Sequence, residues 1–376
     1  MIWIVLGTLL PSFLLSWLSG YVVRRLAPKL GLLDHPGQRK IHAHPIPLGG
    51  GVAIWLGVVT PLAGGYAYLL ARRWGQQGIK VFAWATSLEV PDFAVPHLPG
   101  LLEKAPDLCF LLSLATLLLC LGLADDRWEV SWKIRITVQI IAALSLLLVQ
   151  GWRLTLFINV PWLTSLATVI WIVWLINSFN MLDNMDGLSA GVAAIAAGML
   201  ALVLLSGSVS SGSGPQLFVA GLLLLLSGSL CGFLLHNRPP ARLFMGDAGS
   251  YFIGFILASA TILATFAGDS TPRHAILAPL CVLAVPLYDT ATVLWIRIRE
   301  GRSPFVGDKS HFSHRLVDLG MSKPQAVLTI YLLTATCGLG ALLLHQVDTL
   351  GASIVLLLVG CVLSVVAILE ATSRHR

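Results

Sequence analysis

The chain has 376 residues, of which 56% are hydrophobic and only 11% charged, with a formal net charge of +6. Soluble domains carry roughly 25% charged residues, so one globular core could not hide this much apolar surface. The composition is that of a membrane protein, and the positive balance needs no nucleic-acid partner.

A membrane-spanning helix needs about 20 mostly apolar residues. Eleven runs meet that length: 1–23, 48–71, 107–124, 134–150, 161–177, 187–206, 216–235, 251–267, 275–296, 324–345 and 351–370. The fold class expected is therefore an all-α polytopic membrane protein of about 11 transmembrane helices. It forms one integral-membrane domain over residues 1–376. The first run lacks a basic start and a small-residue cleavage site, so it reads as a retained anchor and not a signal peptide.

Loop charge gives an orientation. With the segment after the first run placed in the cytoplasm and the sides alternating, 18 of the 24 Lys and Arg residues fall on the cytoplasmic side and 6 on the other. That bias fits the positive-inside rule. It puts the N-terminus outside and the C-terminus in the cytoplasm. The six cysteines, Cys109, Cys120, Cys231, Cys281, Cys337 and Cys361, lie in or beside apolar runs without metal-ligand spacing. They read as buried small hydrophobes. Segment 72–106 is the largest loop on the other side and is expected to hold short interfacial helices or a hairpin.

Five polar clusters fall on the expected cytoplasmic face. The first is Asp34-His-Pro-Gly-Gln-Arg39-Lys40-Ile-His42-Ala-His44, followed by Pro45-Ile-Pro47-Leu-Gly49-Gly50-Gly51. It joins cations to a Gly-rich helix entrance and suits a phosphate or nucleotide contact. The second is Asp125-Asp126-Arg127 with Lys133. Adjacent carboxylates repel unless a cation sits beside them. The third runs from Asn177 to Gly187 and places Asn177, Asn180 and Asn184, and likewise Asp183 and Asp186, at helical spacing. Carboxylate and amide oxygens are the hard ligands that magnesium prefers.

The fourth cluster is Phe244-Met-Gly246-Asp247-Ala-Gly249-Ser250, ahead of an apolar run. Backbone amides at a helix start attract phosphate, and Asp247 adds a hard ligand. The fifth is the basic stretch from Arg297 to Leu316, with Arg302, Asp308, Lys309, His311, His314 and Arg315. Its cations could clamp a diphosphate, and its histidines could hydrogen-bond phosphate or sugar. Charge near a bilayer marks function by default. Together the clusters make a phosphoryl-transfer kit whose active site faces one compartment. A transporter would place such charges near the membrane midplane instead.

The stretches Arg39-Lys-Ile-His42 with Pro47-Leu-Gly-Gly50, Gly122–Asp126, Asn180–Leu188, Phe244–Ser250 and Asp308–Leu316 resemble, in family order, the polyprenyl-phosphate N-acetylhexosamine-1-phosphate transferases (glycosyltransferase family 4). The likeness covers a core of about 34–345. Its last loop, His311-Phe-Ser-His314-Arg315, is similar to the WecA/TagO branch and lacks the three consecutive histidines of MraY-like phospho-MurNAc-pentapeptide transferases.

The resemblance implies transfer of a sugar-1-phosphate, GlcNAc-1-phosphate above all, from a UDP-N-acetylhexosamine to undecaprenyl phosphate. UMP is released, in the initiating step of a cell-envelope polysaccharide. It implies a bacterial inner (plasma) membrane location, Mg2+ with Mn2+ as a substitute, and a homodimer as known among relatives. Site by site, it implies that Asn180 and Asp247 hold the metal. Asp125 and Asp126 form the acidic pair at the lipid phosphate, and Asp183 and Asp186 are catalytic on the nucleotide side. Lys40, His42, Lys133, Asn184, His311, His314 and Arg315 contact substrate.

Overall fold

In a computed structural model, residues 2–35, 44–77, 85, 87, 95, 98–154, 160–211, 216–264, 272–303 and 310–373 are described. Hydrocarbon offers no partner to backbone N–H and C=O groups, so each long apolar run closes its own hydrogen bonds as a helix. The helices are α1 (Ile2–Leu26), α2 (Gly50–Gln76), a short α3 (Leu98–Glu103), α4 (Ala105–Trp128), α5 (Trp132–Gln150), α6 (Pro161–Leu182), α7 (Leu188–Ser211), α8 (Leu217–Asn237), α9 (Gly246–Leu263), α10 (Ala278–Val282), α11 (Ala284–Arg299), α12 (Phe312–Asp318), α13 (Lys323–Leu343) and α14 (Thr349–Ser373). Ten described helices are long and apolar enough to cross a membrane, and the count is eleven if Arg273–Val282 and α11, bent by 65° at the break between them, make one span. The protein is a multi-pass membrane protein whose candidate spans are all helical.

Within the run 275–296 the helix is bent by 65°. Pro286 sits in the first turn of α11 and has no N–H for the carbonyl of Val282, so the helix breaks at Leu283. Strands β1 (Leu33–Asp34) and β2 (Ile46–Pro47) pair antiparallel and draw together the chain between α1 and α2. The Phe244 N–H then donates to the Pro47 carbonyl at 2.9 Å, and the Gly50 N–H to the Phe244 carbonyl at 2.9 Å. The loop after α1 is thereby clamped to the start of α9. In segment 72–106, α2 continues to Gln76 and α3 is one short helix; the remainder lies largely outside the described residues.

Burial ranks the spans. The spanning windows of α7, α8 and α9 are 72%, 72% and 78% buried, while those of α1 and α14 are only 11% buried. The centre of the bundle is therefore α7–α9, with α9 packed between α4 and α6. The outer helices turn apolar side chains outward, as lipid demands. One correction concerns the cysteines. Only Cys281 and Cys337 are buried, whereas Cys109, Cys120, Cys231 and Cys361 are exposed. A small hydrophobe beside lipid gains nothing by pointing inward.

A second correction concerns helix ends. Asp183 and Asp186 are not on a helix: α6 stops at Leu182 and both lie in the turn before α7. Conversely, Asp125 and Asp126 lie inside the last turn of α4, and Asn177 and Asn180 inside α6. Helix α9 begins at Gly246, earlier than residue 251, so Asp247 falls in its first turn.

Candidate functional site

Three of the expected clusters meet where the end of α4, the end of α6 and the start of α9 converge. The Asn180 amide Nδ2 donates to Asp247 Oδ1 at 2.6 Å and to Ser250 Oγ at 3.1 Å. Asp126 accepts the backbone N–H of Asp247 at 2.8 Å and that of Ala248 at 3.4 Å. This carboxylate caps α9 from a neighbouring helix and meets the positive end of its dipole. The contact depends on Gly246, whose φ is +72° and whose absent Cβ would strike the Asp126 carboxylate. The start of α9 was expected to offer these amides to a substrate phosphate. The fold spends those of Asp247 and Ala248 on Asp126 instead, because a buried carboxylate needs donors of its own.

Asp125 turns to a different partner. Arg135, from the first turn of α5, lies 2.5 Å from Asp125 Oδ2 and 3.7 Å from Asp247 Oδ2. The Tyr251 hydroxyl donates to the same Asp125 oxygen at 3.1 Å. Lys133, the cation singled out from the sequence, is exposed, with its Nζ 5.9 Å from the ring of Trp132. The cation inside the cluster is thus Arg135, two residues further on. The sequence alone does not separate the two, because packing decides which side of the turn faces inward.

The turn after α6 closes the floor. Asp186 Oδ2 accepts the Ala241 N–H at 2.9 Å, and the Asn237 side chain accepts the Gly187 N–H at 2.9 Å. Burial, then the charges of Asp126 and Asp186, push the Asp183 carboxyl up to about 8. At pH 7 it therefore holds its proton most of the time.

The fifth cluster joins this group through the same turn. The Ser313 hydroxyl donates to Asn184 Oδ1 at 2.5 Å. His311 Nδ1 lies 3.0 Å from Asp289 Oδ2, and the Phe312 N–H donates to Asp289 Oδ1 at 2.6 Å. Asp289, fully buried on α11, fixes the ring of His311; the His314 ring centroid is 6.5 Å away. Asp289 was missed in the sequence, although an acid inside an apolar run is itself a signal of function.

Arg315 is buried and engaged. Its Nη2 donates to Thr292 Oγ1 at 2.9 Å, its Nη1 to the Ser310 carbonyl, and its Nε lies 3.1 Å from Glu370 Oε2. The Tyr288 hydroxyl donates to Glu370 at 2.9 Å. Lys40 and His42, like Asp308 and Lys309, lie outside the described residues.

The donor set suits a hard divalent cation. Asp125 and Asp247 have Arg135 as a neighbouring cation, while Asp126 is held by the backbone N–H groups of Asp247 and Ala248. No group of three or more His, Cys, Asp or Glu side chains among the described residues is arranged as a complete metal cage. Magnesium asks for less than that, one or two protein oxygens with water and substrate phosphate completing its shell. Asn180 Oδ1 and Asp247 Oδ2 are the oxygens available for it.

Residues 108–265, which run from the first turn of α4 past the end of α9, match the model of glycosyl transferase family 4. A decaprenyl-phosphate N-acetylglucosaminephosphotransferase of Mycolicibacterium smegmatis is 31% identical over 355 residues, 88% of this chain and 80% of its own length. An undecaprenyl-phosphate alpha-N-acetylglucosaminyl 1-phosphate transferase of Yersinia pestis is 29% identical, covering 86% of this chain and 80% of the relative. That of Salmonella typhi is 30% identical, covering 88% and 81%. With the family model across most of α4 to α9 and such a relative along most of its length, the chain belongs to glycosyl transferase family 4.

Proposed function

We propose that this protein transfers N-acetylglucosamine-1-phosphate from a UDP-sugar to a polyprenyl phosphate, undecaprenyl phosphate in a bacterial plasma membrane. The observation that carries this is the convergence of Asn180, Asp247, Asp125, Asp126 and Arg135 at one end of the bundle. The names of the relatives, each acting on a polyprenyl phosphate, support the same reaction.

In the reaction, an oxygen of the lipid phosphate attacks the β-phosphorus of the donor. The bond from that phosphorus to the bridging oxygen breaks, and UMP leaves with the electron pair. A phosphate monoester has a second pKa near 6, so the acceptor is already mostly dianionic at pH 7 and needs little help from a base. The protein's task is to hold two anionic groups in line and neutralise their charge.

Asp125 and Asp126 have their oxygens engaged by Arg135, Tyr251 and the start of α9, so their role is to fix the geometry around Asp247. Asp183 and Asp186 line the turn on the donor side. His311 and His314 sit on a loop braced by Asp289 and Asn184, suited to the sugar and diphosphate. A Mg2+ ion at Asn180 and Asp247, for which Mn2+ could substitute, would neutralise charge on the diphosphate. The polar face is assigned to the cytoplasm, where a nucleotide sugar is available. Cysteines placed at 301–303 should then resist an impermeant thiol reagent in intact cells.

The test is a donor competition with purified protein, undecaprenyl phosphate and Mg2+. UDP-GlcNAc should be the efficient donor. Transfer from UDP-MurNAc-pentapeptide alone would favour the MraY-like reading, and no transfer from either would remove the proposal.

A further inference from the structure

Outside the aspartate site lies an open cleft of about 520 Å3, lined by Tyr21, Arg24, Arg25, Pro47, Ala241 and Arg242 among others. Three guanidinium groups converge on it. Among the described residues, no carboxylate pairs with Arg24, Arg25 or Arg242; Arg24 lies only over the ring of Tyr21, at 6.0 Å. Elsewhere in the chain cations do find carboxylates, as Arg135 and Arg315 do. Three like charges around one cleft repel each other, and the arrangement is favourable only when an anion from outside joins them.

The wall is built, not incidental. Tyr21 stacks edge-on against His236 at 4.6 Å, and His236 Nε2 is 2.8 Å from the Trp17 carbonyl. Ala241 is tied to Asp186, and Pro47 accepts the Phe244 N–H.

The same cleft ends an apolar track. Along α1, Leu6, Leu10, Leu14, Leu18 and Val22 recur every four residues and are 47%, 54%, 39%, 55% and 56% exposed. At about 100° per residue, each step of four turns about 40° further, so these side chains wind around the outward side of α1. The last of them, Val22, lies two residues before Arg24. A molecule that satisfies both features carries hydrocarbon chains and a phosphate at one end. Basic pockets at the membrane surface hold such headgroups.

We propose that this cleft binds the headgroup of an anionic phospholipid whose acyl chains lie along α1. This cleft lies beside the aspartate site, joined to it through the Ala241–Asp186 hydrogen bond, and does not rest on the assigned reaction. The chain runs directly from Arg242 to Asp247, so a bound lipid braces the segment that leads into the reaction centre.

Native mass spectrometry of the full-length protein tests this, with phosphatidylglycerol and phosphatidylcholine offered together. One phosphatidylglycerol should be retained in preference to phosphatidylcholine. Losing three surface charges should weaken that retention on the order of a hundredfold in R24Q/R25Q/R242Q, while R24K/R25K/R242K keeps most of it. R242Q alone changes an exposed residue outside any helix and should weaken it about fivefold, which covers the case that the triple variant does not fold. Equal retention of both lipids, or phosphatidylglycerol retention unchanged in R242Q and in the folded triple variant, overturns the proposal. Displacement by inorganic phosphate at equal concentration would assign the cleft to free phosphate. Displacement by undecaprenyl phosphate at equal concentration would assign it to the acceptor. Either result also overturns the phospholipid assignment.

Discussion

Asn180 and Asp247 are 67 residues apart in sequence, yet the amide of one donates to the carboxylate of the other at 2.6 Å. One closes α6 and the other opens α9, so two helix ends present adjacent hard oxygens. Asp247→Ala should abolish transfer while the purified protein keeps its helical circular dichroism and detergent elution volume. Asn180→Ala should cost at least about tenfold in rate, equivalent to one charge-assisted hydrogen bond of about 1.5–3 kcal/mol. A radiolabelled-donor assay over a magnesium series checks both. Normal magnesium dependence in Asp247→Ala would exclude this residue as a ligand.

With magnesium at Asn180 and Asp247, as proposed, Asp183 should make its binding pH-dependent. Burial and the neighbouring Asp126 and Asp186 charges push its carboxyl up to about 8, so below that pH it is protonated and neutral. A divalent cation nearby favours the anion, so binding should expel a proton at pH 7. Magnesium affinity should therefore rise between pH 7 and pH 9 and flatten above. Calorimetry in two buffers of different ionisation heat measures the proton release. In Asp183→Asn the release and the pH slope should both disappear.

Arg135 is the cation the acidic cluster leans on. In Arg135→Gln, Asp125 keeps the Tyr251 hydroxyl but loses its ion pair, and Asp247 loses its nearest positive charge. An uncompensated buried acceptor costs about 1–3 kcal/mol, and the lower end applies because the Arg135 side chain is 28% exposed. The thermal midpoint should fall by a few degrees and the rate by about tenfold or more. Lys133→Gln, changing an exposed residue over Trp132, should be milder in both measurements.

Arg315 offers a test of how the last loop works. Its guanidinium is held by Thr292, Ser310 and Glu370, an arrangement that a lysine ammonium cannot reproduce. Arg315→Lys should lower the rate on the order of tenfold. Glu370→Gln, on α14, should reproduce part of that loss, and kcat should fall more than KM rises, if Arg315 acts by fixing the loop. A silent Glu370→Gln with a raised donor KM in Arg315→Lys would place the guanidinium directly on the diphosphate.

What the sequence determined by itself was the class, a multi-pass helical membrane protein, and several of the polar residues that the fold brings together. The class follows from local composition, because a bilayer rewards any apolar run of sufficient length regardless of its neighbours. Asp125, Asp126, Asn180 and Asp247 were legible because charge and amide at the ends of such runs carry a high local cost. The tertiary structure decided which groups spend their hydrogen bonds on each other. That Asp126 caps α9, that Arg135 and not Lys133 enters the cluster, and that Asp289 and Glu370 brace the last loop are facts of helix azimuth and packing. No local pattern encodes them, because a helix end shows its residues in sequence but not which face meets a partner 120 residues away.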